Sequence, residues 1–145
     1  MTDSASPSPD ELLYFGNRIP FLQSIGVQPN ELRLDYASAQ LSYRSALANG
    51  AGNLHGGSLM SALDFAMSAA ARSSDPAGLA PSTVDMRTSF IRPADGDIEI
   101  VARCVHRGRS IAFCEATAHN QANELVATAS GVFKLSRKDG KPHAG

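Results

Sequence analysis

Apolar residues recur with two periods along this 145-residue chain, and the change between them marks its organisation. Leu59, Ala62, Leu63, Ala66, Met67 and Ala70 fall at the three- and four-residue spacings of one helix face. Met60 and Phe65 lie outside that stripe, and the rest of the surface is small rather than charged. A helix with almost no charge over about four turns is surrounded by protein. One sheet face is too little cover for it, so a second copy of the chain is the simplest candidate. "SSDPAG" ends the helix. After residue 80 the period becomes two: in "TVDMRTSFI", Val84, Met86, Thr88 and Phe90 alternate with Thr83, Asp85, Arg87 and Ser89. "IEIVARCVH", "SIAFCEATAH" and "LVATASGVFKL" follow, with turns at "ADGD" and "RGR", and predict an antiparallel meander of four strands.

Upstream, "IGVQPNELRL" and "AQLSYR" read as a first hairpin, and "SALANGAGN" as a loop rich in glycine and asparagine. Ser8 or Asp10 is placed to cap a short helix through Phe15. Residues 1–9, rich in serine and proline, are expected to be mobile, residues 10–136 to form one domain, and 137–145 a polar tail. One long helix with several antiparallel strands predicts an α+β fold, the sheet wrapped around the helix.

Composition narrows the function. With 43% apolar and 19% charged residues the chain is an ordinary globular protein, and its net charge of −1 supplies no overall basic field for nucleic acid or acidic membranes. An anionic ligand would need a local cluster of cations. Cys104 and Cys114 make neither a disulfide framework nor a metal spacing and are expected as buried thiols. His55, His106, His119 and His143 show no paired ligand spacing, so no metal is expected. The start lacks the basic and apolar regions of a signal peptide, and no run approaches the ~20 apolar residues of a membrane span. A reducing, cytoplasmic setting is the expectation.

The candidate chemistry lies in "GNLHGGSLMSALDFAMSAAA", where Asp64 interrupts the apolar helix. A carboxylate among alanines and methionines is costly unless something uses or satisfies it. "NGAGNLHGG" followed by "SLMSALD" resembles the PaaI-type acyl-CoA thioesterases of the hotdog fold, in the 4-hydroxybenzoyl-CoA thioesterase superfamily. Their pattern, Asn-x-x-Gly-x-x-His-Gly-Gly with an aspartate nine residues after the histidine, is matched by Asn49, Gly52, His55, Gly56, Gly57 and Asp64. The likeness continues through "STVDMRTSFIRPADGD" and the "RGRS" turn, over roughly residues 20–136.

The resemblance implies a homodimer, or dimers paired into tetramers, that hydrolyses an acyl- or aryl-CoA thioester to free acid and CoA without a cofactor. It implies that Gly56 donates its amide to the thioester oxygen and that Asp64, from the other subunit, attacks or activates water. Asn49 would hold the water or leaving group, and His55 would orient the loop or contact the thioester. A serine or threonine before "VDM" holds the lytic water in related members, which points to Thr83, with Ser82 beside it. Strict alternation puts Thr83 on the same face as Asp85 and Ser82 on the other. Gly57, Met60 and Phe65 would border the acyl group, with Phe90 and the N-terminal segment as further walls. For the CoA phosphates the turn Arg107, Gly108, Arg109, Ser110 offers bidentate guanidinium groups, and Arg92, Lys134 and Arg137 are further cations.

The residues themselves support this chemistry. The first amide hydrogens of a helix have no internal partners and, with the positive end of its dipole, suit a developing oxyanion. A carboxylate in an apolar setting serves as base or nucleophile. Gly56 and Asp64, eight residues apart, are separated by about 12 Å along one helix. A reacting carbon must lie within about 3–3.5 Å of its nucleophile and close to the oxyanion donors. One helix cannot serve both ends, so the aspartate would come from a second helix antiparallel to the first. Two rivals use the same fold: an acyl-CoA or lipid-binding protein without catalysis, and an enoyl-CoA hydratase or dehydratase with His55 and Asp64 as its proton-transfer pair.

Overall fold

A computed structural model describes residues 12–139. The expected mobile start, the residues offered as its helix cap and most of the polar tail lie outside the described residues. Residues 12–19 do not continue a helix through Phe15. Positive φ at Phe15 (52°) and Gly16 (91°) closes a turn that pairs Tyr14 with Asn17. Helix α1, Pro20–Ile25, begins after it with proline in the first turn, where its missing N–H costs nothing. The hairpin follows as β1 (Val27–Arg33) and β2 (Tyr36–Leu41).

Helix α2, Gly56–Ala71, is the centre of the fold. The six residues of its apolar stripe are all buried. They face a sheet lined with small side chains: Ala37 and Ala39 on β2, Ala102 on β4 (Ile98–Arg107), Ala112, Ala116 and Ala118 on β5 (Ile111–His119) and Ala129 on β6 (Leu125–Arg137). Alanines on that face let the helix approach closely and still exclude water. Phe65, off the stripe, is only 5% exposed. Its cover comes from Tyr14 and Phe15, earlier in the same chain. Tyr14 meets its ring edge-on at 5.3 Å and Phe15 stacks on it at 5.8 Å. Arg72, buried at the end of α2, clamps this cover by donating to the Tyr14 and Phe15 carbonyls. The flank of α2 left open carries Gly57, Met60, Ser61, Asp64 and Ser68.

The six strands run β1-β2-β4-β5-β6-β3, all neighbours antiparallel. The expected meander is therefore corrected. Strand β3, Leu79–Phe90, pairs with β6 and not with β4. Seven residues, 91–97, separate β3 from β4, too many for a tight hairpin, and they carry the chain back across the sheet to β2. Strand β3 thus forms one edge, twelve residues long and exposed from Ser82 to Asp85.

Its facing departs from strict alternation as well. The register slips between Thr83, opposite Phe133, and Asp85, opposite Val132, so Val84 is the extra residue of a bulge. The bulge turns Thr83 to the helix side, with Met86, Thr88 and Phe90, and leaves Asp85 on the outer face with Ser82 and Arg87. Thr83 and Asp85 do not share a face. Cys104 and Cys114 sit opposite each other on β4 and β5, both buried and unbonded. Among the described residues no helix is long and apolar enough to cross a membrane.

Arg107 is a second correction. Its guanidinium donates to the carbonyls of Ala70 and Ala71 at 3.1–3.3 Å and to Ser73 Oγ, and pairs with the Asp35 carboxylate at 2.6 Å. A cation satisfying the last carbonyls of a helix is held there by the dipole as well as by the hydrogen bonds. Arg107 therefore closes α2 and is not free to grip a phosphate. Arg107→Ala should destabilise the fold by about 2–4 kcal/mol, by loss of charged hydrogen bonds and orphaning of Asp35. Urea denaturation measures this; unchanged stability with a raised KM for a CoA substrate would return Arg107 to the ligand.

Candidate active site

The N-terminus of α2 is built by its loop. Asn49 Oδ1 accepts from the amides of Ala51 (3.0 Å) and Asn53 (3.1 Å), folding residues 49–53 into a tight hook. His55 then caps the helix: its Nδ1 accepts from the Gly57 amide at 2.8 Å. That bond needs an unprotonated Nδ1, so the ring is committed to capping. A Cβ at Gly57 would sit 3.0 Å from that same nitrogen, which explains the glycine.

With Gly57 engaged, the amide of Gly56 has no hydrogen-bond partner among the described residues. Gly56 borders a cavity of about 370 Å³ with Asn49, Phe90 and Arg92. The Phe90 ring lies 3.2 Å from the point a Cβ on Gly56 would occupy. Only glycine lets the ring, or an acyl group in its place, come so near the backbone.

Asp64 lies two turns further along, half-buried, on the flank with Ser61 and Ser68. No cation among the described residues pairs with it. Its partner is Thr83, whose Oγ1 donates to Asp64 Oδ1 at 2.6 Å. The bulge at Val84 makes this contact, because it turns Thr83 inward. Burial pushes the Asp64 carboxyl above the usual aspartate range, and the Thr83 hydroxyl partly offsets the shift by stabilising the anion. A raised pKa in a partly dry setting is what a base or nucleophile requires.

Asp64 also borders a cavity of about 200 Å³ between α1 and α2, with Ile19, Phe21, Leu22, Ser61, Phe65 and Ser68. Phe65 thus touches the site while packed beneath it. Met60, 36% exposed, stands on the same open flank. Ser82, on the outer face of β3 opposite Lys134, is turned away from Asp64. Gly108, Arg109 and Ser110 form the turn beside the C-terminus of α2, with Arg109 and Ser110 exposed. Arg92 donates to the Leu125 carbonyl at the rim of the Gly56 cavity. Ser61 and Ser68 were not singled out in the sequence, although they stand three before and four after Asp64, on its helix face. Among the described residues no cluster of three or more His, Cys, Asp or Glu could hold a metal ion.

The sequence profile of the thioesterase superfamily matches residues 51–127, from the hook before the helix into the last strand. The chain belongs to the thioesterase superfamily. It is similar to a candidate esterase of Mycobacterium tuberculosis, 30% identical over 140 residues that cover 94% of this chain and 99% of that protein. A thioesterase family protein of Silicibacter pomeroyi superposes with a TM-score of 0.77 at 27% identity, covering 81% of this chain and 90% of that one. The PaaI protein of the E. coli phenylacetic acid degradation operon shares the fold, with a TM-score of 0.75, 23% identity, and 80% and 83% coverage. The architecture is that of the hotdog thioesterases, and family membership makes this chain a hydrolase.

Thr83→Val removes the one hydroxyl that stabilises the Asp64 anion, so the Asp64 pKa should rise further. A group that works as an anion loses activity as pH falls through its pKa. The acid limb of the kcat/KM profile should therefore stand above the normal aspartate range in the native protein and move to higher pH in Thr83→Val. An acid limb that does not move would separate Thr83 from the titrating group.

Proposed function

We propose that the chain is an acyl-CoA thioesterase that hydrolyses an acyl- or aryl-CoA to free acid and CoA as a homodimer. Each site would combine Gly56 of one protomer with Asp64 of the partner subunit. The observation that carries this reading is the unbroken helix from Gly56 to Ala71. It keeps an unpaired amide and a carboxylate of raised pKa about 12 Å apart, beyond the reach of one carbonyl carbon. Two helices side by side and antiparallel bring the two ends together twice.

The free edge of β3 supports that pairing. Among the described residues it is unpaired along one side, and the strand, twelve residues long, carries Thr83 against Asp64. Edges of this kind join other strands unless they are blocked. Two β3 edges paired antiparallel would continue the sheet through the two-fold axis and set the two α2 helices against the same strands.

In the reaction, Asp64 takes a proton from water as the oxygen bonds to the thioester carbon, or bonds to that carbon itself. Charge collects on the carbonyl oxygen, where the Gly56 amide donates to it. The C–S bond then breaks. On the first route the CoA thiolate leaves with the proton that Asp64 took. On the second it leaves as thiolate, water then cleaves the acyl-Asp64 anhydride to free acid, and the proton released completes the thiol. Asn49 and His55 hold the loop that presents the amide. With Arg107 committed to α2, Arg109 in the adjoining turn and Arg92 at the cavity rim are the cations offered to the CoA phosphates. Two free cysteines opposite each other suit a reducing, cytoplasmic setting.

Free-thiol release from aromatic, short, medium and long acyl-CoAs tests the reading. Asp64→Asn and Asp64→Ala should lower kcat by at least ~10²-fold, the scale of a lost base, with acyl-CoA still bound. No thiol release from any substrate would favour a binding protein, and hydration of an enoyl-CoA would favour a hydratase. Stability should move oppositely. A carboxylate whose folded pKa is raised contributes stability only at low pH, lost as pH rises through that pKa. Above that pKa the charged Asp64 is therefore a liability that asparagine removes. Asp64→Asn should raise Tm, by about 2–4 °C for each kcal/mol relieved; an unchanged or lower Tm would contradict the desolvated carboxylate.

A further inference from the structure

Phe21 is an aromatic residue in the first turn of α1, yet it is 57% exposed. It has no ring partner of its own among the described aromatic contacts. It lines two cavities at once. One, about 200 Å³, holds Asp64 on its wall with Ser61 and Phe65. The other, about 250 Å³, lies at the start of α2 against His55, Gly57 and Ser58, with Ile25 and Leu47. Both lie along the α1 side of α2, one at its N-terminus and one a turn or two further on. Phe21 is the side chain they have in common.

We infer that Phe21 is the specificity-determining residue of the thioesterase: its ring partitions one groove along α2 and sets the length of acyl group that can lie beside Asp64. The inference rests on the proposed thioesterase reading and names what that site accepts. The compartment next to Asp64 is somewhat larger than the roughly 150 Å³ cavity that holds one benzene ring. It takes one six-membered ring, or a chain of about six carbons, and the ring of Phe21 meets whatever extends further. Ser61, Asp64 and Ser68 line it on the α2 flank, and the apolar Ile19, Leu22 and Phe65 complete the wall against which the hydrocarbon part of the substrate would lie. Beyond Phe21 the second compartment continues between Ile25, Leu47 and the helix start. Removing the ring joins the two and opens the groove to a long chain.

Phe21 belongs to a six-residue helix at the periphery, contributes nothing to the buried core and touches no reacting atom in this scheme. Its substitution should change which chain is accepted and leave the chemistry in place. The test compares kcat/KM for hexanoyl-CoA and dodecanoyl-CoA in the native protein, Phe21→Ala, Phe21→Leu and Phe21→Trp. Phe21→Ala should raise the dodecanoyl-to-hexanoyl ratio about tenfold or more, the scale on which an apolar pocket discriminates chain size. Phe21→Leu should move it less in the same direction, and Phe21→Trp should lower it. The shift should appear mainly in KM for the long chain. If Phe21→Ala unfolds, the leucine and tryptophan variants still bracket the native ratio. A native enzyme that hydrolyses hexanoyl-CoA while all folded variants keep its ratio within twofold overturns the partition and leaves the thioesterase standing. A native protein that releases thiol from an aromatic acyl-CoA and from neither of these two overturns the partition alone. One that releases thiol from no acyl-CoA of the panel overturns the thioesterase reading, and the partition falls with it.

Discussion

The rise of an α-helix is a rigid constraint, and α2 makes it the ruler of this molecule. Its apolar stripe rests on an alanine-lined sheet, its outer side is held by Tyr14 edge-on and Phe15 stacked against Phe65, and its end is fastened by Arg72 and Arg107. Nothing along it offers a hinge: no proline or internal glycine interrupts Ser58 to Ala71. The separation between the Gly56 amide and the Asp64 carboxylate is therefore fixed by backbone geometry and cannot be closed by a side-chain rotation. Whatever joins those two groups in one reaction must come from outside the helix that carries both.

Asp64 is held on narrow terms. Among the described residues it gains no ion pair, and the Thr83 hydroxyl offsets part of the cost of its burial. That hydroxyl faces the helix because β3 gives up regular pairing at Val84. A bulge interrupts a ladder, and a half-buried carboxylate without a cation weakens a fold. Both departures converge on the same contact, between Thr83 and Asp64.

How much of this was legible follows from the range of the forces involved. The helix, its buried stripe and the tandem glycines at its mouth are set by neighbours within four residues, and the sequence carries them openly. Thr83 was also legible, but its facing was not: strict alternation puts it with Asp85, and the bulge that separates them depends on how β3 meets β6. The place of β3 at the sheet edge was hidden for the same reason, since pairing with Phe133 and Gly131 lies some fifty residues away in the chain. Arg107, in a turn beside Arg109, looks like a surface cation until α2 brings the carbonyls of Ala70 and Ala71 to it. The cover over Phe65 comes from a segment whose turn needs positive φ at a phenylalanine, which local propensity disfavours and packing against α2 compensates.

The two ends of α2 are treated differently, and the difference has a direction. At the C-terminus the negative end of the dipole is answered within the chain: Arg107 takes the carbonyls of Ala70 and Ala71, and Arg72 lies buried beside them. At the N-terminus the His55 ring accepts from the Gly57 amide, and its carbonyl from those of Ser58 and Leu59. The Gly56 amide has no partner among the described residues and borders a cavity, with the positive end of the dipole behind it. A helix made only for stability would gain from a second acceptor there, as serine or aspartate caps supply elsewhere. The histidine ring closes one donor, and the residue carrying the other borders space lined by Asn49, Phe90 and Arg92. An electron-rich oxygen entering that space completes the helix, and the helix stabilises it most when it carries the greatest negative charge.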